Sequence, residues 1–267
     1  MYEASLDAMN AHEGRVAVVT GAASGIGRAT AERIEADGGS VVAVDLSGDQ
    51  LKWTDDHERI EPLVGSVTEQ AINEAAVTLA KDRFGGLDAM VLNAGKPMSG
   101  SLLELPLEAF DDVMEVNVRA VLLGIRSAVP ALRERGSANG GGAIAITAST
   151  SGMAGDPNMW PYNTSKAAVI NLMRGAALDL GPLGIRVNAV APGPTESGMT
   201  TRLLEDRETF DALRRRTALQ RWGRAEEVAA VLAFLVSPDA SIVTGALVPA
   251  DSGISANTGQ FLPAEKP

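Results

Sequence analysis

Arg15-Val-Ala-Val-Val-Thr20-Gly21-Ala-Ala-Ser-Gly25-Ile-Gly27-Arg28 decides the fold of this chain. The run up to Thr20 is short, apolar and rich in β-branched residues, which suits a buried strand. A glycine-rich turn follows at once. Arg28–Asp37 then sets Ala29, Ile34 and Ala36 among charges, as a helix does. Strand, glycine turn and helix start in that order form a cradle for phosphate. Backbone N–H groups and the helix dipole face the anion, and the glycines let it approach closely. Gly21, Ser24, Gly25, Ile26 and Gly27 are therefore candidate cofactor contacts. The glycine spacing is G-x-x-x-G-x-G, which differs from the G-x-G-x-x-G of other dinucleotide folds.

The next apolar run, Ser40-Val-Val-Ala-Val-Asp45, ends in an acid 18 residues beyond Gly27. At the tip of a second strand a carboxylate accepts hydrogen bonds from adenosine ribose hydroxyls. It repels a 2′-phosphate, and neither Leu46 nor Ala22 supplies a cation to offset that. The expected cofactor is NAD in preference to NADP, with Leu46 beside the ribose.

Strands and helices go on alternating along the chain. Arg59–Val64 and Leu87–Leu92 read as strands, and Thr68–Phe84 as an amphipathic helix with Thr68 as N-cap. Leu107–Arg135 reads as one long helix, with a bend expected at Pro130 and Asn117 in its interior. Ala143–Ala148 and Ile185–Val190 are further strands, Ala225–Leu235 a helix and Ala246–Pro249 a short last strand. Such alternation implies parallel βαβ units. The expectation is an α/β chain: a single-domain Rossmann fold, a doubly wound parallel sheet of about seven strands with helices on both faces. Residues 1–13 read as an N-terminal arm, 14–253 as the domain and 254–267 as a C-terminal tail. Within the domain, 195–216 is polar and poor in core positions, a candidate mobile lid over the cleft.

Composition narrows the function. Hydrophobic residues make up 45% of the 267, enough for a sizeable core. A net charge of -11 argues against nucleic acid, which needs a basic face. There is no cysteine, so disulfides, thiolate catalysis and cysteine metal sites are excluded. Only His12 and His57, both in polar surroundings, are present, and no metal site is expected. No apolar run reaches the length of a membrane span, and the N-terminus lacks a signal-peptide core. The expectation is a soluble cytoplasmic protein.

Tyr162 and Lys166 stand four residues apart and leave the same face of a helix. A phenol titrates near ~10, and a nearby ammonium draws that value toward neutral, where the phenol can exchange protons with a substrate oxygen. Tyr and Lys also fall at this spacing on many helices by chance. Asn163–Leu180 reads as their helix, and its apolar residues cover most of its circumference. That width suggests burial on two sides, against the sheet and against another subunit.

Taken together, these segments are similar to the classical short-chain dehydrogenase/reductase family from about Arg15 to Gly253. The resemblance rests on Thr20-Gly21-x-x-x-Gly25-Ile26-Gly27, Asn93-Ala94-Gly95, Asn117, Ser149, Tyr162-x-x-x-Lys166, Asn188-x-Val190-x-Pro192-Gly193, Val243-Thr244-Gly245 and Asp251-Ser252-Gly253. Ser149 stands thirteen residues before Tyr162, as the family pattern has it. The resemblance implies that Tyr162 is the acid/base and that Ser149 hydrogen-bonds the reacting oxygen. It implies that Lys166 binds the nicotinamide ribose and lowers the Tyr162 pKa, and that Asn117 holds a water in a proton relay. It places Ser66, Val67, Asn93, Ala94, Gly95, Pro192, Gly193, Thr195 and Ser197 along the cofactor, with Tyr162 and Lys166 beside its nicotinamide end. It also implies a homotetramer.

The chain departs from the family at four places. Ser66 stands where an Asp is frequent, Leu92 where an Asn precedes Asn-Ala-Gly, Ser197 where threonine is usual, and Ser252 where glycine is usual.

The expected activity is NAD(H)-dependent interconversion of a secondary alcohol and a ketone. Epimerisation or dehydration through a transient keto form, and a non-catalytic dinucleotide sensor, stay open as alternatives. The substrate pocket is expected between Lys96–Ser101, Met153–Trp160 and the segment from Thr195. Lys96, Ser149, Met153, Met159 and Trp160 are its candidate contacts, suited to an apolar or cyclic small molecule.

Overall fold

The computed structural model describes residues 10–135 and 141–264. Five parallel strands come first: β1 (Val16–Thr20), β2 (Ser40–Asp45), β3 (Ile60–Val64), β4 (Ala89–Leu92) and β5 (Gly142–Thr147). β6 (Ile185–Pro192) follows, then the two-residue β7 (Thr195–Glu196) and β8 (Gly223–Arg224), then β9 (Leu247–Ala250). One seven-stranded sheet runs β3-β2-β1-β4-β5-β6-β9, every pair parallel. β7 and β8 pair with each other.

Alternation along each strand separates two cores. Val16 and Val18 of β1, with Val42, Met90, Ile144 and Ile146, face one side, while Ala17, Val19, Val41 and Val91 face the other. The first side packs α2 (Gln70–Phe84), α4 (Ala120–Arg135) and α5 (Trp160–Leu180). The second packs α1 (Gly25–Ala36) and α8 (Ala225–Val236). α3 (Leu107–Met114) lies against α5, and α6 (Thr201–Glu205) and α7 (Arg207–Arg216) stand on the excursion between β7 and β8. Burial on both faces is why the strands are near-continuous apolar runs.

The strand order reverses between β1 and β4, and the crevice at the carboxyl ends there is where such sheets bind ligands. Both outer strands carry a proline. Val41 N–H donates to Arg59 O and Gly65 N–H to Asp45 O, so odd residues of β3 face β2 and Pro62 faces outward. Ala189 N–H donates to Ala246 O and Gly193 N–H to Ala250 O, so Pro249 on β9 faces outward as well.

Several local expectations change. α2 begins at Gln70 rather than at Thr68, because the Thr68 hydroxyl bonds Ser66 Oγ at 2.7 Å instead of capping the helix. The 107–135 helix is interrupted by a π-turn at Glu115–Arg119, while Pro130 lies inside α4. α5 starts at Trp160, with Pro161 in its first turn, where the missing N–H costs nothing. One face of α5 is buried, but Leu178 is 79% exposed.

Residues 1–9 of the expected arm and 265–267 of the tail lie outside the described residues. His12 is buried rather than in polar surroundings, because its Nε2 meets the Ala233 carbonyl of α8 at 3.1 Å. Among the described residues no helix is long and apolar enough to cross a membrane.

Candidate active site

The glycine turn sits at the switch between β1 and β4. Gly21 has φ +68°, and a Cβ there would lie 2.9 Å from Ala94 Cα. A Cβ on Gly27 would lie 2.0 Å from Gly21 O, so only glycine lets the turn fold back on the start of α1. Ser24 is the N-cap, with extended backbone and no side-chain cap, and the first turn of α1 holds no acid. The helix therefore presents open N–H groups and an uncompensated positive dipole end to the cleft.

Asn93 staples three strand ends. Its Nδ2 donates to Thr20 O at 3.1 Å and Gly21 O at 3.3 Å, and its Oδ1 accepts from Thr147 Oγ1 at 3.1 Å. Thr20 Oγ1 in turn accepts the amides of Asn93 and Ala94. Asp45, at the tip of β2, accepts from Ala23 N–H at 3.0 Å and Leu46 N–H at 2.7 Å. The carboxylate is thereby aimed across the glycine turn.

On the other side of the cleft stand Ser149, Tyr162 and Lys166. Ser149 follows β5 and accepts the Ser151 amide on its Oγ at 3.1 Å, which leaves its O–H to donate elsewhere. Lys166 is buried, and its Nζ donates to Thr147 O at 2.8 Å and lies 5.6 Å from the Tyr162 ring centre. Burial pushes the Lys166 pKa down to about 8. Burial also raises the Tyr162 pKa above the ordinary phenol value; a hydrogen bond with Ser149 opposes this and the Asp156 charge adds to it. The expected lowering of Tyr162 by Lys166 does not emerge: burial raises the phenol, and the group that opposes this is Ser149.

Asn117 lies behind this face, in the π-turn. Its Nδ2 donates to Lys96 O and Ser165 Oγ, both at 3.0 Å, and its Oδ1 accepts from Lys96 N–H at 2.9 Å. Oδ1 and the Lys166 ammonium both come up beneath Gly95, 3.2 and 3.5 Å from where its Cβ would be.

A cleft of about 250 Å³ brings together Gly21, Ser24, Gly25, Ile26, Asp45, Asn93, Ala94, Gly95, Ser149, Tyr162, Lys166, Pro192, Gly193, Thr195 and Ser197. A second recess of about 190 Å³ shares Gly21, Asp45, Ala94 and Gly95 with it and adds Leu46, Ser66, Val67 and Lys96. Lys96 therefore lines the recess on the Asp45 side, with its Nζ 3.5 Å from Asp112 Oδ2. Met153, Met159 and Trp160 line neither space: Met153 is 43% exposed, and the Trp160 ring stacks on Phe110 at 5.5 Å. Thr147, Ala148, Gly198, Met199 and Thr200 also line the cleft, and no sequence motif marks them. The first two end β5 just before Ser149, a position where any residue meets the ligand crevice. Ser165, the partner of Asn117, was also missed.

A cradle that a Cβ would fill, an open helix N-terminus and an acid at the tip of β2 fit a dinucleotide. The fold and cleft are those of a nucleotide-dependent α/β enzyme. Residues 21–255 match the family model described as Enoyl-(Acyl carrier protein) reductase. Levodione reductase of Leifsonia aquatica is 36% identical over 256 residues, covering 91% of this chain and 94% of that one. Meso-2,3-butanediol dehydrogenase of Serratia marcescens is 35% identical over 251 residues, covering 93% and 97%. The crystal structure of levodione reductase superposes with a TM-score of 0.85 at 34% identity, covering 92% of this chain and 99% of that one. The chain belongs to the short-chain dehydrogenase/reductase family and is an oxidoreductase of a family whose dehydrogenases use nicotinamide dinucleotides.

Proposed function

We propose that the protein interconverts a secondary alcohol and a ketone with NAD(H). The observation that carries this reading is the convergence of Tyr162, Ser149 and Lys166 on the cleft that the glycine turn opens. Bound there, a nicotinamide dinucleotide would accept or supply the hydride. Gly21, Ser24, Gly25 and Ile26 would hold its phosphates, with Gly27 shaping the turn beneath them, and Asp45 its adenosine ribose. Leu46, Ser66 and Val67 would flank the adenine, and Asn93, Ala94, Gly95, Pro192, Gly193, Thr195 and Ser197 the rest of its length.

Tyr162 gives its phenolic proton to the substrate oxygen in reduction and takes it back in oxidation. Ser149, whose hydroxyl meets that of Tyr162, donates its O–H to the same oxygen and orients it. Lys166 has three donors and uses one on Thr147 O, so two remain for ribose hydroxyls. The second lone pair of Asn117 Oδ1, beside the ammonium, suits a relay water. Preference for NAD rests on Asp45, because no arginine stands at Leu46 or Ala22 to receive a 2′-phosphate. The two relatives are named for a dione and a diol. A small ketone or alcohol with a second oxygen function is accordingly the substrate class to try first. Homo-oligomerisation is supported by the uncovered Leu178 face of α5, and a monomer in light scattering at micromolar concentration would overturn it.

The decisive experiment follows reduced nicotinamide absorbance over a panel of ketones and alcohols with NAD and NADP. Wild-type protein should turn over with NAD(H), and Tyr162→Phe should lose roughly 10²- to 10⁴-fold in kcat while still binding NADH. Full activity in Tyr162→Phe refutes the mechanism, and tighter binding of NADPH than NADH refutes the cofactor assignment.

A further inference from the structure

Ser165, one residue before Lys166, is fully buried. A hydroxyl at that depth has to find partners for its proton and its oxygen. Its O–H donates to the Tyr162 carbonyl at 2.8 Å, and its oxygen accepts Asn117 Nδ2 at 3.0 Å. The first bond is local to α5. Thr164 makes one of the same kind, to the Trp160 carbonyl at 2.7 Å, on the exposed side of the helix. The second bond is different. It joins two side chains and crosses from α5 to the π-turn at Glu115–Arg119.

The geometry around Asn117 gives that crossing bond a task. Asn117 holds the Lys96 backbone at two points: its Oδ1 accepts the N–H at 2.9 Å, and its Nδ2 donates to the carbonyl at 3.0 Å. Two points define an axis, and a planar amide can still swing about it. A third contact removes the swing, and Ser165 supplies it. The only proton of Ser165 Oγ is committed to Tyr162 O, so toward Asn117 this oxygen acts as an acceptor. Both Nδ2 protons are then used, and Oδ1 keeps one lone pair. That oxygen and the Lys166 ammonium meet under Gly95, 3.2 and 3.5 Å from where its Cβ would be.

We infer that Ser165 is a positioning residue: its hydroxyl fixes the plane of the Asn117 amide, so that the free lone pair of Oδ1 faces the Lys166 side. Its bearing on turnover rests on the proposed alcohol–ketone reaction, in which that lone pair holds the relay water. The fixed amide plane does not depend on the reaction.

Ser165→Ala removes one oxygen and leaves the packing of α5 nearly as it was. Its kcat should fall about 3- to 10-fold, the effect of one hydrogen bond, with KM for the ketone and affinity for NADH unchanged. Asn117→Ala should lose more. Ser165→Ala added to Asn117→Ala should cost nothing further in kcat, because a residue that acts through Asn117 then has nothing to position. A purely structural role in α5 would give the same loss in both backgrounds. Thr164→Ala deletes a helix bond of the same kind on the exposed side and should keep the wild-type kcat. Crystal structures of wild type and Ser165→Ala, each with NADH, read the amide directly and need no second variant. In Ser165→Ala the Asn117 amide should be turned about its two Lys96 contacts.

A wild-type kcat in Ser165→Ala overturns the role in turnover, and so does a full further loss on top of Asn117→Ala. An Asn117 amide that keeps its plane in Ser165→Ala overturns the positioning itself. If no ketone or alcohol turns over with the wild type, the reaction assignment fails on its own, and the two crystal structures still decide whether Ser165 sets the amide.

Discussion

Lys166 takes its ammonium into the protein and donates it to the carbonyl of Thr147. Burial of that charge works against folding, and its pKa of about 8 records the penalty. The sign of the pH effect follows. Below about 8 the folded protein holds the proton at a cost. Between that value and the ordinary lysine value of roughly 10.4, the unfolded chain binds the proton and the folded chain does not. This group therefore adds stability as pH rises through that window. Lys166→Met should raise the denaturant midpoint near neutral pH by the equivalent of roughly 1–3 kcal/mol and abolish that pH dependence. It should also cost at least about 100-fold in kcat if the proposed roles hold. A lower midpoint in the mutant would show that the ammonium is stabilising where it sits. At this scale the sequence points to Tyr162 and Lys166 by their helical spacing and to Ser149 by the family resemblance, and the three line one cleft. It could not reveal the direction of the Tyr162 shift, which depends on water removed by residues far along the chain. Nor could it show that Trp160 turns away to stack on Phe110.

The start of α1 and the π-turn show how elements set the site. Gly27→Ala would push a methyl to within 2.0 Å of Gly21 O, so the turn must open or the helix must shift. Overpacking of this kind costs about 1–3 kcal/mol, occasionally more. The variant should melt several degrees lower and lose NADH binding in calorimetry, and normal binding would mean the turn can relax without harm. The strand, glycine turn and helix start could be read from residues 15–37 because each is local chemistry: β-branched residues, then residues free to take positive φ, then helical periodicity. The π-turn was not readable. A helical pattern runs unbroken through 107–135, and the inserted residue becomes visible only when Asn117 is seen to reach both Lys96 and Ser165. The Thr68 N-cap failed for a similar reason, since Ser66 competes for its hydroxyl.

Across the whole molecule the two ends of the sheet do different work. The carboxyl ends form the cleft. At the amino ends the buried Asp88 accepts Val16 N–H and the half-buried Arg135 Nη2, both at 2.9 Å. Asp88→Ala should leave NADH affinity unchanged and lower Tm by several degrees, because the buried Val16 N–H loses its acceptor while Arg135, 27% exposed, can turn to water. A mutant that melts like wild type would make the Asp88 bonds dispensable. The alternation of elements made the seven-stranded doubly wound fold legible, while the burial of His12 against α8 rests on the Ala233 carbonyl, which no pattern near His12 announces. The outward prolines on the flanking strands have a consequence of their own. Each open flank of the sheet has a gap in its row of donors, at Pro62 on one side and Pro249 on the other. A foreign strand laid along either flank would find its ladder broken midway. Fibril growth by templated strand addition is thereby checked at both flanks.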